Sequence, residues 1–137
     1  MKIGQNISAI LVGLSFLLFG FNFFFHFIPI PTPPPDSLVI PFFKATGTSG
    51  FMAFVKLSEI IGAILIVIPR FRNWGLIILG PIMINIITFN LFIAGGYAVF
   101  QPPIVILTLL LIFVLYCNRH AFFSLLILDT SEDIETA

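Results

Sequence analysis

Four long apolar stretches dominate this chain, and they limit it to folds in which long helices are surrounded by lipid. A helix rises about 1.5 Å per residue, so crossing a hydrocarbon core of about 30 Å takes roughly 20 residues. The stretches predict helices over about 6–28, 50–69, 74–94 and 102–120. The expected fold class is therefore an all-α integral membrane four-helix bundle, because β-barrels show short alternating segments instead.

The scarcity of charge supports the same class. Only 9% of the residues are charged, against about 25% in ordinary soluble domains. We therefore expect the lipid bilayer as the main partner. The net charge is zero, which gives no reason to expect nucleic acid. We interpret residues 1–128 as a single transmembrane domain and 129–137 as a flexible acidic tail.

The connections between the stretches differ in character. Residues 29–37 form a proline-rich loop between the first two helices, which proline prevents from being helical. Residues 38–49 predict a short interfacial or re-entrant element that carries Phe42 and Phe43 into the membrane. Residues 121–128 either continue the fourth helix or lie flat on the membrane.

The basic residues indicate an orientation. With four crossings, Lys2, Arg70, Arg72 and Arg119 all fall on one side of the membrane. The positive-inside rule makes that side cytoplasmic. The expected topology is N-in and C-in, with the proline-rich loop outside.

Two charged residues lie inside the second apolar stretch. Lys56 and Glu59 are three residues apart, which places them on one helix face and within reach of each other. A charge in the middle of a membrane helix costs roughly 2.5–3.5 kcal/mol on insertion scales. Buried ion pairs are poor stabilisers, so we interpret this pair as the centre of a ligand-binding site.

Further polar residues are predicted at the same depth as the charged pair. Asn22 and His26 lie one turn apart near the outer end of the first helix, and Asn85 and Asn90 lie in the middle and outer part of the third. We include all four in the candidate site. For each asparagine alone, a hydrogen bond to a neighbouring helix is the competing explanation.

Several kinds of chemistry find no support in the sequence. The lone Cys117 excludes a disulfide within the chain and a cysteine zinc site. His26 and His120 are predicted at opposite membrane faces, too far apart to share a metal or haem. We expect no metal site and no stand-alone enzyme, and no catalytic residue is assigned.

Three segments together resemble one family. FGFNFFFHFIPIPTPPP, VKLSEIIGAILIVIPRF and LGPIMINIITFNLFIA occur in this order, and they resemble the DoxX-like group of small four-helix bacterial membrane proteins. The resemblance covers roughly residues 10–120. Asn90 departs from the family pattern, which typically has histidine there. The matching positions are Asn22, Lys56, Glu59, Gly62, Pro81 and Asn85.

The resemblance implies a location and a role. It implies a multi-pass protein of the bacterial cytoplasmic (inner) membrane, associated with subunits of a redox complex and with quinone as the cofactor or ligand. We therefore expect a small-molecule- or quinone-binding subunit. Two alternatives are a small proton-coupled transporter, whose missing half a homodimer would supply, and a scaffolding subunit without its own ligand.

Overall fold

The computed structural model describes residues 2–125, and every regular element within that range is helical. The all-α prediction is confirmed for these residues, whereas the predicted tail at 129–137 lies outside them. The α-helices are α1 (Lys2–Phe25), α2 (Val39–Thr48), α3 (Phe51–Val67), α4 (Arg72–Phe92), α5 (Pro102–Cys117) and α6 (Arg119–Leu125). Short 3₁₀ turns at Pro69–Phe71 and Tyr97–Phe100 connect α3 to α4 and α4 to α5.

The helix ends differ from the predicted ones for local backbone reasons. The first helix occupies Lys2–Phe25 rather than 6–28 and stops where His26 takes a φ of 53°, in the left-handed region. The second predicted helix ends at Val67 because Pro69 forces the preceding Ile68 into extended backbone. The third is shifted to Arg72–Phe92 rather than 74–94.

The fourth predicted helix, 102–120, is not continuous. It ends at Cys117, and α6 leaves at a bend of 70°. At the break, the Asn118 side chain donates a hydrogen bond to the Val114 carbonyl at 3.0 Å. Such a side-chain bond competes with helix continuation. Residues 121–125 therefore belong to a separate short helix and do not extend α5.

The predicted short element over 38–49 is the helix α2. It meets α3 at an angle of 84°, with Gly50 between them at a φ of 79°. That φ lies in the left-handed region, which glycine adopts without a steric penalty. Within residues 2–125, two helical segments, Lys2–Phe25 and Pro69–Phe92, are each long and apolar enough to cross a membrane. The number rises to four if each bent pair is one span.

Four helices share one apolar core, and many other apolar side chains point outward. Large exposed apolar side chains occur along every described helix, and Phe54, Ile84 and Leu109 are each more than half exposed. Apolar surface of this extent is unusual in water-soluble proteins. The chain therefore has the surface of a membrane protein. The buried core residues come from α1, α3, α4 and α5: Ala9, Val12, Phe16, Ala63, Ile66, Leu76, Leu79, Met83, Leu107, Leu111 and Val114.

The turn between α3 and α4 is held by a buried arginine. Arg72, predicted to lie on the cytoplasmic side of the membrane, is only 4% exposed. Its Nε donates a hydrogen bond to the Ile66 carbonyl oxygen at 3.0 Å. The carbonyls of the last helical turn have no partner within their own helix, and a cation there complements the helix dipole. Arg72 therefore stabilises the end of α3 from the start of α4.

Candidate functional site

The predicted ion pair is present in the structure. Lys56 Nζ lies 3.0 Å from one carboxylate oxygen of Glu59 and 3.1 Å from the other. The Glu59 side chain is 2% exposed, whereas that of Lys56 is 22% exposed. The carboxylate is thus enclosed, and the ammonium group forms the accessible side of the pair.

A cavity of about 160 Å³ opens next to this pair, between α2, α3 and α4. Its polar wall consists of Lys56, Glu59 and Asn85. The remaining wall is apolar and includes four phenylalanines. The apolar lining residues are Phe42, Phe43, Phe51, Met52, Val55, Ile82, Ile86 and Phe89.

Three aromatic rings close the cavity between α2 and α4. The Phe42 and Phe43 rings of α2 lie 4.9 Å and 5.5 Å from the Phe89 ring of α4, measured between centroids. These separations are within the range of favourable aromatic contacts. We call these three residues the aromatic cluster. It forms the side-chain contact through which the short α2 reaches across to α4.

Asn85 is the only predicted polar partner that the structure brings to the cavity within the described residues. It lies on α4, exposed and facing the same space as the charged pair. Its carboxamide has both donor and acceptor atoms. The cavity therefore combines an ammonium donor and an amide with aromatic walls.

Asn22 has a different position from the one predicted. It is 5% exposed, and its side-chain oxygen accepts a hydrogen bond from the Ile28 backbone N–H at 2.7 Å. This bond ties the start of the proline-rich segment back to the end of α1. Asn22 does not line the cavity. Its side chain instead anchors the loop that follows α1.

His26 and Asn90 are also separate from the cavity. His26 was expected on the face of a continuous helix, one turn from Asn22, but it follows the end of α1 and is exposed. The Asn90 amide donates to the Ile86 carbonyl of its own helix at 2.8 Å. Neither residue lines the space beside Lys56 and Glu59.

Sequence reasoning identified the charged part of the cavity better than its apolar part. The sequence predicted that Phe42 and Phe43 enter the membrane, but their contact with Phe89 was not predicted. Phe89 follows Asn85 by four residues and therefore shares its helix face. That spacing was the available signal for an aromatic residue beside the polar one.

The arrangement suits reversible binding of an uncharged molecule. An ammonium group has three N–H donors, and the two contacts with Glu59 leave one for a guest. The pair is neutral as a whole, so a neutral acceptor such as a carbonyl oxygen fits without adding net charge. Within residues 2–125, no group of three or more histidine, cysteine or acidic side chains could hold a metal ion.

Comparison with family models, with curated proteins and with solved structures found no match for this chain.

Proposed function

We propose that this chain is a DoxX-like membrane subunit that binds a quinone or a similar ring carrying a carbonyl oxygen. The observation that carries the proposal is the cavity in which the Lys56–Glu59 pair and Asn85 meet four phenylalanines. Lys56 donates to the carbonyl oxygen of the guest. Glu59 keeps the ammonium charged and oriented, and Asn85 positions the second polar edge of the ring.

The size of the cavity supports a ring as the guest. Apolar cavities of about 150 Å³ hold a benzene molecule, and this one measures about 160 Å³. It accommodates one six-membered head group, and a lipid tail must remain outside it. The flat faces of Phe42, Phe43 and Phe89 are suited to stacking against such a ring.

The proposal includes a topology. The two bent helix pairs each count as one crossing, which gives four spans with α1 and the Pro69–Phe92 segment. Both chain ends then lie in the cytoplasm of a bacterium, and the cavity lies in the outer half of the inner membrane. We propose that redox-complex subunits, which the DoxX-like resemblance implies, supply the electron transfer.

The proposal is tested by native mass spectrometry of the detergent-solubilised protein after purification from bacterial membranes. We expect a retained mass that corresponds to an isoprenoid quinone. Asn85→Ala, which removes a polar wall without leaving a buried charge, is expected to reduce the retained fraction several-fold. Phe92→Ala is the matched control, because Phe92 lies on the same helix, is 72% exposed and does not line the cavity.

A second variant guards against loss of folding. Lys56→Met combined with Glu59→Leu removes the pair without leaving one charge alone, a replacement that buried pairs often tolerate. We expect this variant to assemble normally and to retain no quinone. Equal retention by the reference protein and both cavity variants would contradict the proposal, and so would an empty reference protein. Failed assembly of the double variant would favour the scaffolding role.

A further inference from the structure

We propose that α2 is a lid over the cavity, which swings about Ser49–Gly50 and is held closed by the aromatic cluster. The identity of the molecule that the lid admits rests on the proposed function, but the movement itself does not. The closed lid covers one side of the cavity and leaves the Lys56 side chain only 22% exposed. When it opens, it exposes a sideways entrance between α2 and α4.

The packing of α2 is the first observation that supports a lid. None of its residues is buried, whereas α1, α3, α4 and α5 each contribute several buried residues. Elements with few buried apolar contacts open at the lowest free-energy cost in a protein. Among these five helices, α2 is therefore the one most easily displaced without disturbing the shared core.

The connection between α2 and α3 is the second observation. The two helices meet at 84°, and Gly50 at the corner has a φ of 79°. The backbone bonds at the corner are local, with Gly50 N–H donating to the Gly47 carbonyl at 3.4 Å. Hinges are short segments at element ends that absorb changes in φ and ψ. Glycine permits these changes on both sides of φ = 0.

The aromatic cluster is the third observation. Phe42 and Phe43 reach from the lid to Phe89 on α4. The same three rings line the cavity that holds the charged pair. One contact therefore both fastens the lid and forms the wall of the site. Separating the rings opens the cavity toward the bilayer, from which a lipid-dissolved molecule enters without crossing water.

The movement is tested by pulsed electron–electron spin-resonance distances in protein reconstituted into lipid. Spin labels are attached through Lys44→Cys on α2 and Leu91→Cys on α4, after Cys117→Ala removes the native thiol. Lys44 and Leu91 are both exposed and lie outside the cavity lining. We expect one main distance for this reference protein.

Removal of the cluster contact should then shift the distances. Phe89→Ala is expected to raise the population of a longer distance at least threefold over its population in the reference protein. Phe42→Ala breaks the contact from the lid side and is expected to do the same, which keeps the test valid if one variant fails to fold. Phe92→Ala is expected to leave the distribution unchanged. Unchanged distances in both cluster variants would overturn the lid.

The result is separable from the binding proposal. The distance measurement needs no ligand. If α2 moves in a protein that retains no quinone, the quinone-binding proposal is contradicted and the lid proposal is supported. If the protein retains quinone but all variants show the same distances, the lid proposal is contradicted and the binding proposal is supported. If the lid proposal and the binding proposal are both supported, the Phe89→Ala variant should also release added duroquinone at least threefold faster than the Phe92→Ala variant.

Discussion

The two ends of the α3–α4 hairpin are packed in opposite ways, although the same pair of helices forms both. At the turn end, residues 62–66 of α3 lie against 72–79 of α4 with backbones in close approach. At the cavity end, residues within 51–59 and 82–89, together with α2, line about 160 Å³ of open space. A single helix pair thus provides both a tightly packed joint and one side of an open cavity.

Side-chain size accounts for the difference. At the turn end, a Cβ placed on Gly75 would lie 2.5 Å from the Ile66 nitrogen and 2.9 Å from the Gly62 carbonyl oxygen. Small residues let membrane helices approach closely. At the cavity end, the lining positions of α3 and α4 carry larger side chains, among them Met52, Asn85 and Phe89. The close packing at the turn end fixes how α3 and α4 are placed relative to each other at the cavity end.

The ion pair at the cavity end gives the largest expected effect. Glu59→Gln leaves the Lys56 ammonium without a countercharge, and breaking a buried pair in this way costs about 3–5 kcal/mol. The double variant Lys56→Met, Glu59→Leu should lie within about 1–2 kcal/mol of the reference protein, because replacing the whole pair is often neutral. The free energy of unfolding in mixed detergent–SDS micelles measures both. Equal losses in the single and the double variant would show that the pair is not coupled.

Arg72 at the turn end gives the second effect. Arg72→Met removes a hydrogen bond to the Ile66 carbonyl that involves a charged donor, which is worth about 1.5–3 kcal/mol. Arg70→Met is the matched control, since Arg70 is an exposed neighbour in the same turn. We expect the control to unfold with the reference protein in the same SDS titration. A similar loss in both variants would assign the effect to net charge and not to the bond.

The close backbone approach gives the smallest effect of the three. Gly75→Ala must push α3 and α4 apart, and such overpacking typically costs about 1–3 kcal/mol. Gly80→Ala, on the same helix but with no atom within 4 Å of its added Cβ, should be neutral or slightly stabilising. Thermal unfolding in detergent compares the two variants. Equal unfolding temperatures for the two variants would contradict the close backbone approach at Gly75.

The sequence predicted the parts of the site that depend on spacing along one helix. A spacing of three positions brings Lys56 and Glu59 together on one face of any helix, so the pair could be predicted without the fold. Prolines at 69 and 102 likewise marked connections that the structure contains. These signals are local and need no knowledge of neighbouring helices.

The parts that depend on helix facing could not be predicted in the same way. A helix that is apolar all round carries no stripe to show which side meets its neighbours. Asn22 was therefore expected to face a ligand, whereas its side chain holds the Ile28 backbone. The burial of Arg72 was not predicted, because the sequence does not show that the unpaired Ile66 carbonyl lies within its reach.

The electrical neutrality of the Lys56–Glu59 pair has a consequence for a protein in an energised membrane. A transmembrane voltage acts on net charge, by about 2.3 kcal/mol per elementary charge per 100 mV. The amine and the carboxyl group lie within 3.0 Å of each other, and their sum stays zero even if a proton passes between them. The voltage therefore does almost no work on the paired charges, and binding of an uncharged molecule, as proposed above, would not depend on it.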